Sequence, residues 1–399
     1  MDSSLAANTL AGRWIKLFLV IVSILFGLTL LIAAPIASLW IYKSGDLAVD
    51  RAVAAQKEGF ALYGSGLPTA QKDALFYKLS LYKEKKPQIV VVGSSGMGSL
   101  RESVFARPML NMTGLCSSLS GLRQNIDAML ALHKPDVMIL ALDFWWFSDA
   151  WEKDPFVRTP LNLTKPGYSA EVLRMPLQSL LNGSISLSQF LFLDFTPNRF
   201  GMRAQFHQEG CGPDGSYYAG DKLEQLSPDA GFLRTKDSMK RQIGPFAVQE
   251  ELSAAHLDAL ADIYFRLRGR GVTPLVCLAP VPVKVMEPLK ESASSYPHLF
   301  TLASALEARG IAVTDTTNVA VLDGSDCEFV DGLHAGEVLS LRVLSQLATA
   351  WNGLYAYLNM EQLTKYLTEW KGHAQVGYEQ TKEVWETDFL GLGCVKKTR

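Results

Sequence analysis

The stretch KPQIVVVGSSGMGS, residues 86–99, decides how this chain is read. Ile89, Val90, Val91 and Val92 form a β-branched run with no polar face, and Gly93 ends it. Such a run predicts a strand buried on both faces that enters a tight turn. A strand buried on both faces belongs in a parallel sheet covered by helices. Similar short apolar runs recur at 108–113 (PMLNMT), 136–143 (DVMILALD), 272–280 (VTPLVCLAP) and 311–316 (IAVTDT). Helix spacing separates them. Leu122, Ile126, Met129 and Leu130 share a face within 119–132. Leu252, Leu260, Ile263, Tyr264 and Leu267 do so ahead of Gly269 and Gly271. A third helix is expected over 299–308, stopped by Gly310. A fourth, over 336–351, carries Val338, Leu341, Leu344 and Leu347. Strands alternating with helices predict an α/β fold with a mainly parallel sheet.

Two regions fall outside this alternation. Residues 151–244 are rich in Pro, Gly, Asn and Ser and read as an insertion of loops and short helices. Residues 353–399 read as an amphipathic helical tail with a basic end, VKKTR. That leaves 87–352 as one large domain. With 399 residues and 48% hydrophobic composition, the chain has ample material for its core. It carries 38 basic and 40 acidic residues, for a net charge of −2. This balance excludes a general nucleic-acid binder, which needs a basic face for the phosphates. Five cysteines at scattered positions, Cys116, Cys211, Cys277, Cys327 and Cys394, form no CxxC pair. Their odd number argues against a disulfide scaffold. No sequence motif implies a metal or a cofactor, and His133, His207, His256, His298 and His373 are isolated.

Residues 17–42 carry no charge. As a helix they exceed the roughly 30 Å hydrocarbon core of a bilayer. Trp14, Trp40 and Tyr42 stand at the ends, where amphipathic rings favour the interface. A cleaved signal peptide is the competing reading. Its apolar region is normally shorter, and Pro35 spoils the best small-residue cleavage site. The expected organisation is therefore an N-terminal stub (1–16), cytoplasmic on the resemblance given below, a transmembrane helix (17–42) and a helical connector (43–86) ahead of the domain. Flanking charges do not fix the orientation, since Arg13 and Lys16 oppose Lys43, Arg51 and Lys57.

Ligands of open α/β sheets sit at the carboxyl ends of the strands. The first strand ends in GSSGMGS. This block admits a phosphate cradle, a plain structural turn, or a nucleophile at Ser95. It lacks both the P-loop Lys-Ser/Thr pair and a GxGxxG pattern. Before the last large helix, VDGLHAGE sets Asp331 and His334 three residues apart. That spacing lets a carboxylate hold one imidazole nitrogen while the other faces outward, the orienting half of a Ser-His-Asp triad. It equally fits an aspartate capping a helix beside a surface histidine.

Together these blocks resemble the SGNH (GDSL-like) hydrolases, over about residues 88–351. The matching residues are Gly93-Ser94-Ser95 and Asp331-Gly332-Leu333-His334. The resemblance implies a three-layer α/β fold with Ser95 as nucleophile, His334 as general base and Asp331 as its orienter. It implies an oxyanion or substrate role near Gly114 and Cys116, because Asn111 begins a stretch in which the family carries an oxyanion glycine. Here Cys116 stands at the expected glycine position. In the family's third block an asparagine donates to the oxyanion; this chain has Asp143 there. An ionised aspartate donates nothing, so Asp143 must be protonated or fix a loop instead. Ser94 takes the place of the family's usual aspartate, and Trp145, just past the third strand, is a candidate for stacking on a sugar ring.

One membrane helix ahead of a divergent SGNH domain is similar to the subgroup that accompanies membrane-bound O-acyltransferases in cell-surface polymer acylation. The resemblance implies a bacterial inner-membrane protein with its domain in the periplasm. It also implies a serine acyl-enzyme passing an acyl group, acetyl foremost, to a polysaccharide. The implied partners are a polytopic acyltransferase or polysaccharide synthase subunit, the polysaccharide and the lipid bilayer. A carbohydrate esterase and a non-catalytic scaffold subunit are the alternative functions. The loop QEGCGPDGSYYAG, residues 208–220, reads either as cleft lining or as a surface turn cluster.

Overall fold

In the computed structural model, residues 2–66, 70–152, 165, 167–183, 185–192, 195–249, 251–377, 379–381 and 384–397 are described. The chain opens with helix α1, Asp2–Ser44, followed by α2, Val49–Glu58, strand β1, Leu62–Tyr63, and α3, Ala70–Lys85. The core strands follow as β2 (Ile89–Gly93), β3 (Met109–Thr113) and β4 (Val137–Leu142), with helix α4 (Leu119–Leu132) between the last two. The insertion adds β5 (Arg199–Phe200), β6 (Gly210–Cys211) and β7 (Tyr217–Tyr218). Strands β8 (Thr273–Leu278) and β9 (Val313–Asp315) complete the core.

The central sheet has the order β3-β2-β4-β8-β9, and every pairing in it is parallel. All residues of β2, β3 and β4 are buried, as expected of strands covered on both faces. Ser118 caps α4, its hydroxyl accepting the Gly121 N–H at 3.2 Å. Ion pairs from Arg266 to Asp127 (2.9 Å) and from Arg123 to Asp262 (3.0 Å) tie α4 to the helix Ala254–Gly269. The helix Glu337–Ala350 is buried along most of its length. The helix expected over 299–308 breaks at Thr301 into two short pieces.

Three sequence expectations need correction. The connector 43–86 does not merely lift the domain. Strand β1 pairs with β5 and β6 of the insertion in a second, mixed sheet ordered β5-β1-β6-β7. Leu75, Tyr77, Leu81 and Tyr82 of α3 lie in the main core. Among the described residues the tail is helical mainly at Asn352–Tyr357 and Met360–Glu369, and much of the remainder is irregular, with Phe389 and Leu390 buried. Finally, a disulfide joins Cys327 to Cys394, closing a separation of 67 residues. Counting cysteines could not reveal it, because an odd total still allows one pair.

Trp40 is also misplaced by the sequence. Rather than anchoring a membrane interface, it is fully buried with Ile41 against Val172, Met175 and Met202. Its ring stacks on Phe206 at 5.4 Å and meets Phe195 edge-on at 5.3 Å. Ala37, Trp40, Ile41 and Ser44, one stripe of α1, are all buried. Farther back, Phe18, Leu28 and Leu31 are among many exposed apolar residues of the same helix. Positions 25–26, 29–30 and 32–33 have side chains outside the described set. Among the described residues no helix is long and apolar enough to cross a membrane.

The disulfide straps the tail to the loop that precedes the helix Glu337–Ala350. Replacing Cys394 with Ser should lower unfolding stability by about 2–4 kcal/mol. Denaturant titration checks this, and a reductant should weaken the native protein but leave the variant unchanged.

Candidate active site

Strand β2 ends against its neighbour. Gly93 has φ +108°, and a Cβ there would lie 2.0 Å from the Ala141 carbonyl oxygen of β4. Only glycine permits this approach and this dihedral together. The Ser94 N–H then donates to Ala141 O at 2.8 Å. The Ser94 side chain is buried and accepts the Gly96 N–H at 2.8 Å, which caps the short 3-10 turn Ser95–Met97. Ser95 is turned out to solvent at the first position of that turn.

Ser95 Oγ lies 2.9 Å from His334 Nε2. His334 Nδ1 lies 2.8 Å from Asp331 Oδ2 and 2.9 Å from Oδ1. With the proton on Nδ1 facing the carboxylate, Nε2 is free to accept from the Ser95 hydroxyl. Asp331 is fixed in turn by the N–H groups of Leu333 and His334, both at 2.9 Å. Burial works against a charged imidazole at His334. The Asp331 carboxylate and its hydrogen bond, with the Asp143 charge behind them, outweigh that and raise the His334 pKa. Burial would also raise the Asp331 pKa, but His334 and the two backbone donors hold it below the ordinary range. The structure thus joins residues 239 positions apart in the order that proton abstraction from a serine requires.

The remaining candidates fall elsewhere. The Gly114 N–H donates to Gly93 O at 3.0 Å, so it is not available to an oxyanion. Gly114 matters for another reason: a Cβ there would sit 3.5 Å from Ser95 Cβ, at φ +73°. Cys116 does not line the cleft, and burial pushes its thiol up to about 12. Leu115 does line it, and neither the Ser95 nor the Leu115 N–H finds an acceptor among the described residues. Both amides are therefore candidates for backbone donors to an oxyanion. Trp145 is a further correction. It is 8% exposed, packs edge-on against Phe144 and Trp151, and lies away from the main cleft.

Asp143 is buried and accepts the Ser94 hydroxyl at 2.5 Å. It lines a small pocket behind the turn, with Ala279 and Leu333, and not the cleft. Burial pushes its carboxyl up to about 7, against the pull of the Ser94 bond and the His334 charge. Asp143 therefore fixes the serine turn and biases His334 from behind.

Asn111 was read only as the start of a motif, yet it holds the loop after Ser95. Its Nδ2 donates to the carbonyls of Met97 (3.0 Å), Gly98 (3.2 Å) and Leu100 (2.9 Å). Its Oδ1 accepts from Thr113 N (3.1 Å) and Thr113 Oγ1 (2.6 Å). A lone asparagine in a strand with no polar neighbours was the available signal.

Ser95 and His334 open into a cleft of about 1100 Å³ whose far walls come from the insertion. There Glu209 pairs with Lys222 at 2.8 Å and Arg203 at 3.2 Å, and accepts the Tyr217 hydroxyl at 2.7 Å. Burial would raise the Glu209 pKa, and these partners outweigh it and lower it. Lys222 also acts on His334, opposing its protonation. The 208–220 loop is thus cleft lining, through Glu209, Cys211, Tyr217 and its hairpin β6–β7. Its composition alone resembled a surface turn, because the buried partners come from elsewhere in the chain. Among the described residues no three His, Cys, Asp or Glu side chains converge as a metal site. Compared with known proteins, the chain matches no family model, no curated protein and no solved structure.

Two outcomes follow from this geometry. Asp143→Asn removes a negative charge that raises the His334 pKa, while keeping an acceptor for Ser94. The His334 imidazole should then titrate at lower pH, read by its ring-proton NMR shifts; an unmoved midpoint would rule out the coupling. Asn111→Ala leaves the buried Leu100 carbonyl without its donor and removes second bonds from Met97 O and Gly98 O, and should cost at least about 2 kcal/mol in a denaturant titration.

Proposed function

We propose that this protein is a membrane-anchored, SGNH-type serine acyltransferase acting on an extracytoplasmic polysaccharide. The observation that carries the reading is the chain of short contacts from Ser95 through His334 to Asp331. In the first half-reaction His334 takes the Ser95 proton as Oγ attacks an acyl carbonyl, with Asp331 stabilising the imidazolium. In this reading the Ser95 and Leu115 amides would supply the donors to the developing oxyanion. His334 then returns the proton to the leaving group, giving an acyl-Ser95. In the second half-reaction a sugar hydroxyl loses its proton to His334 and takes the acyl group, freeing Ser95.

Three observations support the setting. The Cys327–Cys394 disulfide fits an oxidising compartment outside the cytoplasm. The cleft is wide and carries Ser99, Thr113, Asn182 and Gln225, groups suited to sugar hydroxyls. The apolar residues of α1 are largely exposed, which an aqueous surroundings disfavours and a bilayer favours. Because 37–44 docks on the protein, the lipid-facing part of α1 is about residues 17–36. That length spans about 30 Å, the thickness of the hydrocarbon core. A polytopic acyltransferase beside α1 is the partner that supplies the acyl group in this reading.

Hydrolysis is the second reading, favoured by the solvent exposure of Ser95. Both share one test. Ser95→Ala should lose fluorophosphonate labelling and at least about 10³-fold of acyl-transfer rate while remaining folded in the membrane. Full polymer acylation by that variant would overturn the transfer reading, and undiminished acyl-ester hydrolysis by it would overturn the hydrolysis reading. Release of the acyl group at a rate independent of added acceptor would select hydrolysis.

A further inference from the structure

The insertion carries two helices, Ala170–Leu181 and Leu187–Phe192, joined by a short turn. Their inner side closes over the end of α1: Val172, Met175 and Ile185 pack with Trp40 and Ile41. The Trp40 indole N–H donates to the Phe190 carbonyl at 3.3 Å, and the two rings stack at 6.3 Å. The hairpin also presents large apolar side chains that nothing among the described residues covers. Leu181 and Phe192 are each 78% exposed, and Leu177, Leu187 and Leu191 are exposed with them. A soluble protein rarely shows so many on one small element.

Their place in the fold says what covers them. Leu191 and Phe192 follow directly on Phe190, which touches Trp40, and Trp40 lies one turn beyond Ile36, an exposed apolar residue of α1. The exposed apolar side chains of the hairpin therefore belong to an element packed on α1 at the end where, in the proposed reading, that helix leaves the bilayer. Cations stand beside these residues in the sequence. Lys43 and Arg174 are exposed, and the Arg51 guanidinium sits 5.8 Å from the Tyr42 ring. Apolar side chains beside tyrosine and basic residues form the pattern of an interfacial element.

We propose that this hairpin is a foot that seats the domain on the outer leaflet, its leucines and Phe192 dipping into the boundary between headgroups and acyl chains. The inference rests on the reading of α1 as a membrane anchor. It deepens that reading, because Ser179, Asn182 and Ile185 of the same hairpin line the cleft that holds Ser95 and His334. One wall of the cleft is thus the back of the foot, and the cleft mouth is held at the membrane surface, within reach of an acyl donor delivered from the bilayer.

The test uses the full chain in nanodiscs of phosphatidylethanolamine and phosphatidylglycerol. Nitroxide labels are placed one at a time at Leu181→Cys and Phe192→Cys in a Cys211→Ser background, with Leu28→Cys on α1 and Glu361→Cys on the tail as references. Collision rates with dissolved oxygen, which partitions into lipid, and with a water-soluble nickel chelate are compared. Labels at 181 and 192 should favour oxygen over nickel as the Leu28 label does, and the Glu361 label should show the reverse. Nickel-accessible labels at 181 and 192 beside a lipid-exposed Leu28 label would overturn the foot alone. Labels shielded from both reagents would overturn it in favour of a protein partner. A nickel-accessible Leu28 label would bring down the anchor as well.

Discussion

The close approach of Gly93 to the Ala141 carbonyl is the contact on which the site depends. It draws the end of β2 against β4 within a space where no Cβ fits. The same residue offers its carbonyl to the Gly114 N–H, so three strands are pinned at one point. The chain must then turn sharply, and Ser94 and Ser95 separate: one hydroxyl goes inward to Asp143, the other outward to His334. Two adjacent serines thus do unlike jobs because the turn gives them opposite faces. Asn111 holds the following loop down through three carbonyls and keeps that choice from relaxing.

The other half of the site is held from outside the sheet. Gly332 lies so close to Thr235 that a Cβ would meet its Oγ1 at 2.2 Å, and the Gly332 N–H donates to Asp229 at 2.9 Å. The insertion therefore grips the Asp331–His334 loop as well as roofing the cleft. On the far side, Glu337 pairs with buried Arg101 at 3.1 Å and accepts the N–H of Val376 from the tail at 3.0 Å. Arg101 also lies 3.7 Å from the Tyr218 ring of the insertion. A buried ion pair of this kind adds little net stability, but losing one partner leaves an uncompensated charge. It makes the post-serine loop, the insertion and the helix after His334 interdependent. This accounts for a site whose members come from both ends of the domain.

What was legible in the sequence follows physical range. The strands at 89–92 and 136–143 could be read because burial on both faces leaves a local signature, an unbroken apolar run. Asp331 and His334 could be read because their contact spans a single turn. Trp40 could not, since its partners lie about 150 residues away and a tryptophan after an apolar helix looks the same at an interface or in a core. Trp145 could not either, because a tryptophan just past a strand looks the same in a cleft or packed against Phe144 and Trp151. The strands of the small sheet are two residues long, below any periodic signal, and their pairing joins the connector to the insertion. The disulfide is a tertiary pairing across 67 residues, which spacing alone leaves undetermined. The Asp143 substitution was visible, but only its position behind the turn shows that it acts on Ser94 and His334 and not in the cleft.

In the proposed function, an acyl-serine in this open cleft would face two nucleophiles, water and the acceptor hydroxyl. Nothing in the triad discriminates between them, because His334 activates either in the same way. Discrimination has to come from position. A sugar held by the cleft walls has already lost the freedom that a colliding water must still give up, and that difference is worth several kcal/mol of barrier when the alignment is good. The walls that would hold it are supplied by the insertion, with Lys222, Tyr217 and Glu209 locked together by hydrogen bonds and charge. Such a preformed wall loses little entropy on binding. Anchoring adds a second bias, since a donor and an acceptor kept near one surface meet the serine at raised effective concentration. On the proposed function, the choice between transfer and hydrolysis would thus lie in the insertion and the N-terminal helix, while the α/β domain would provide chemistry common to both.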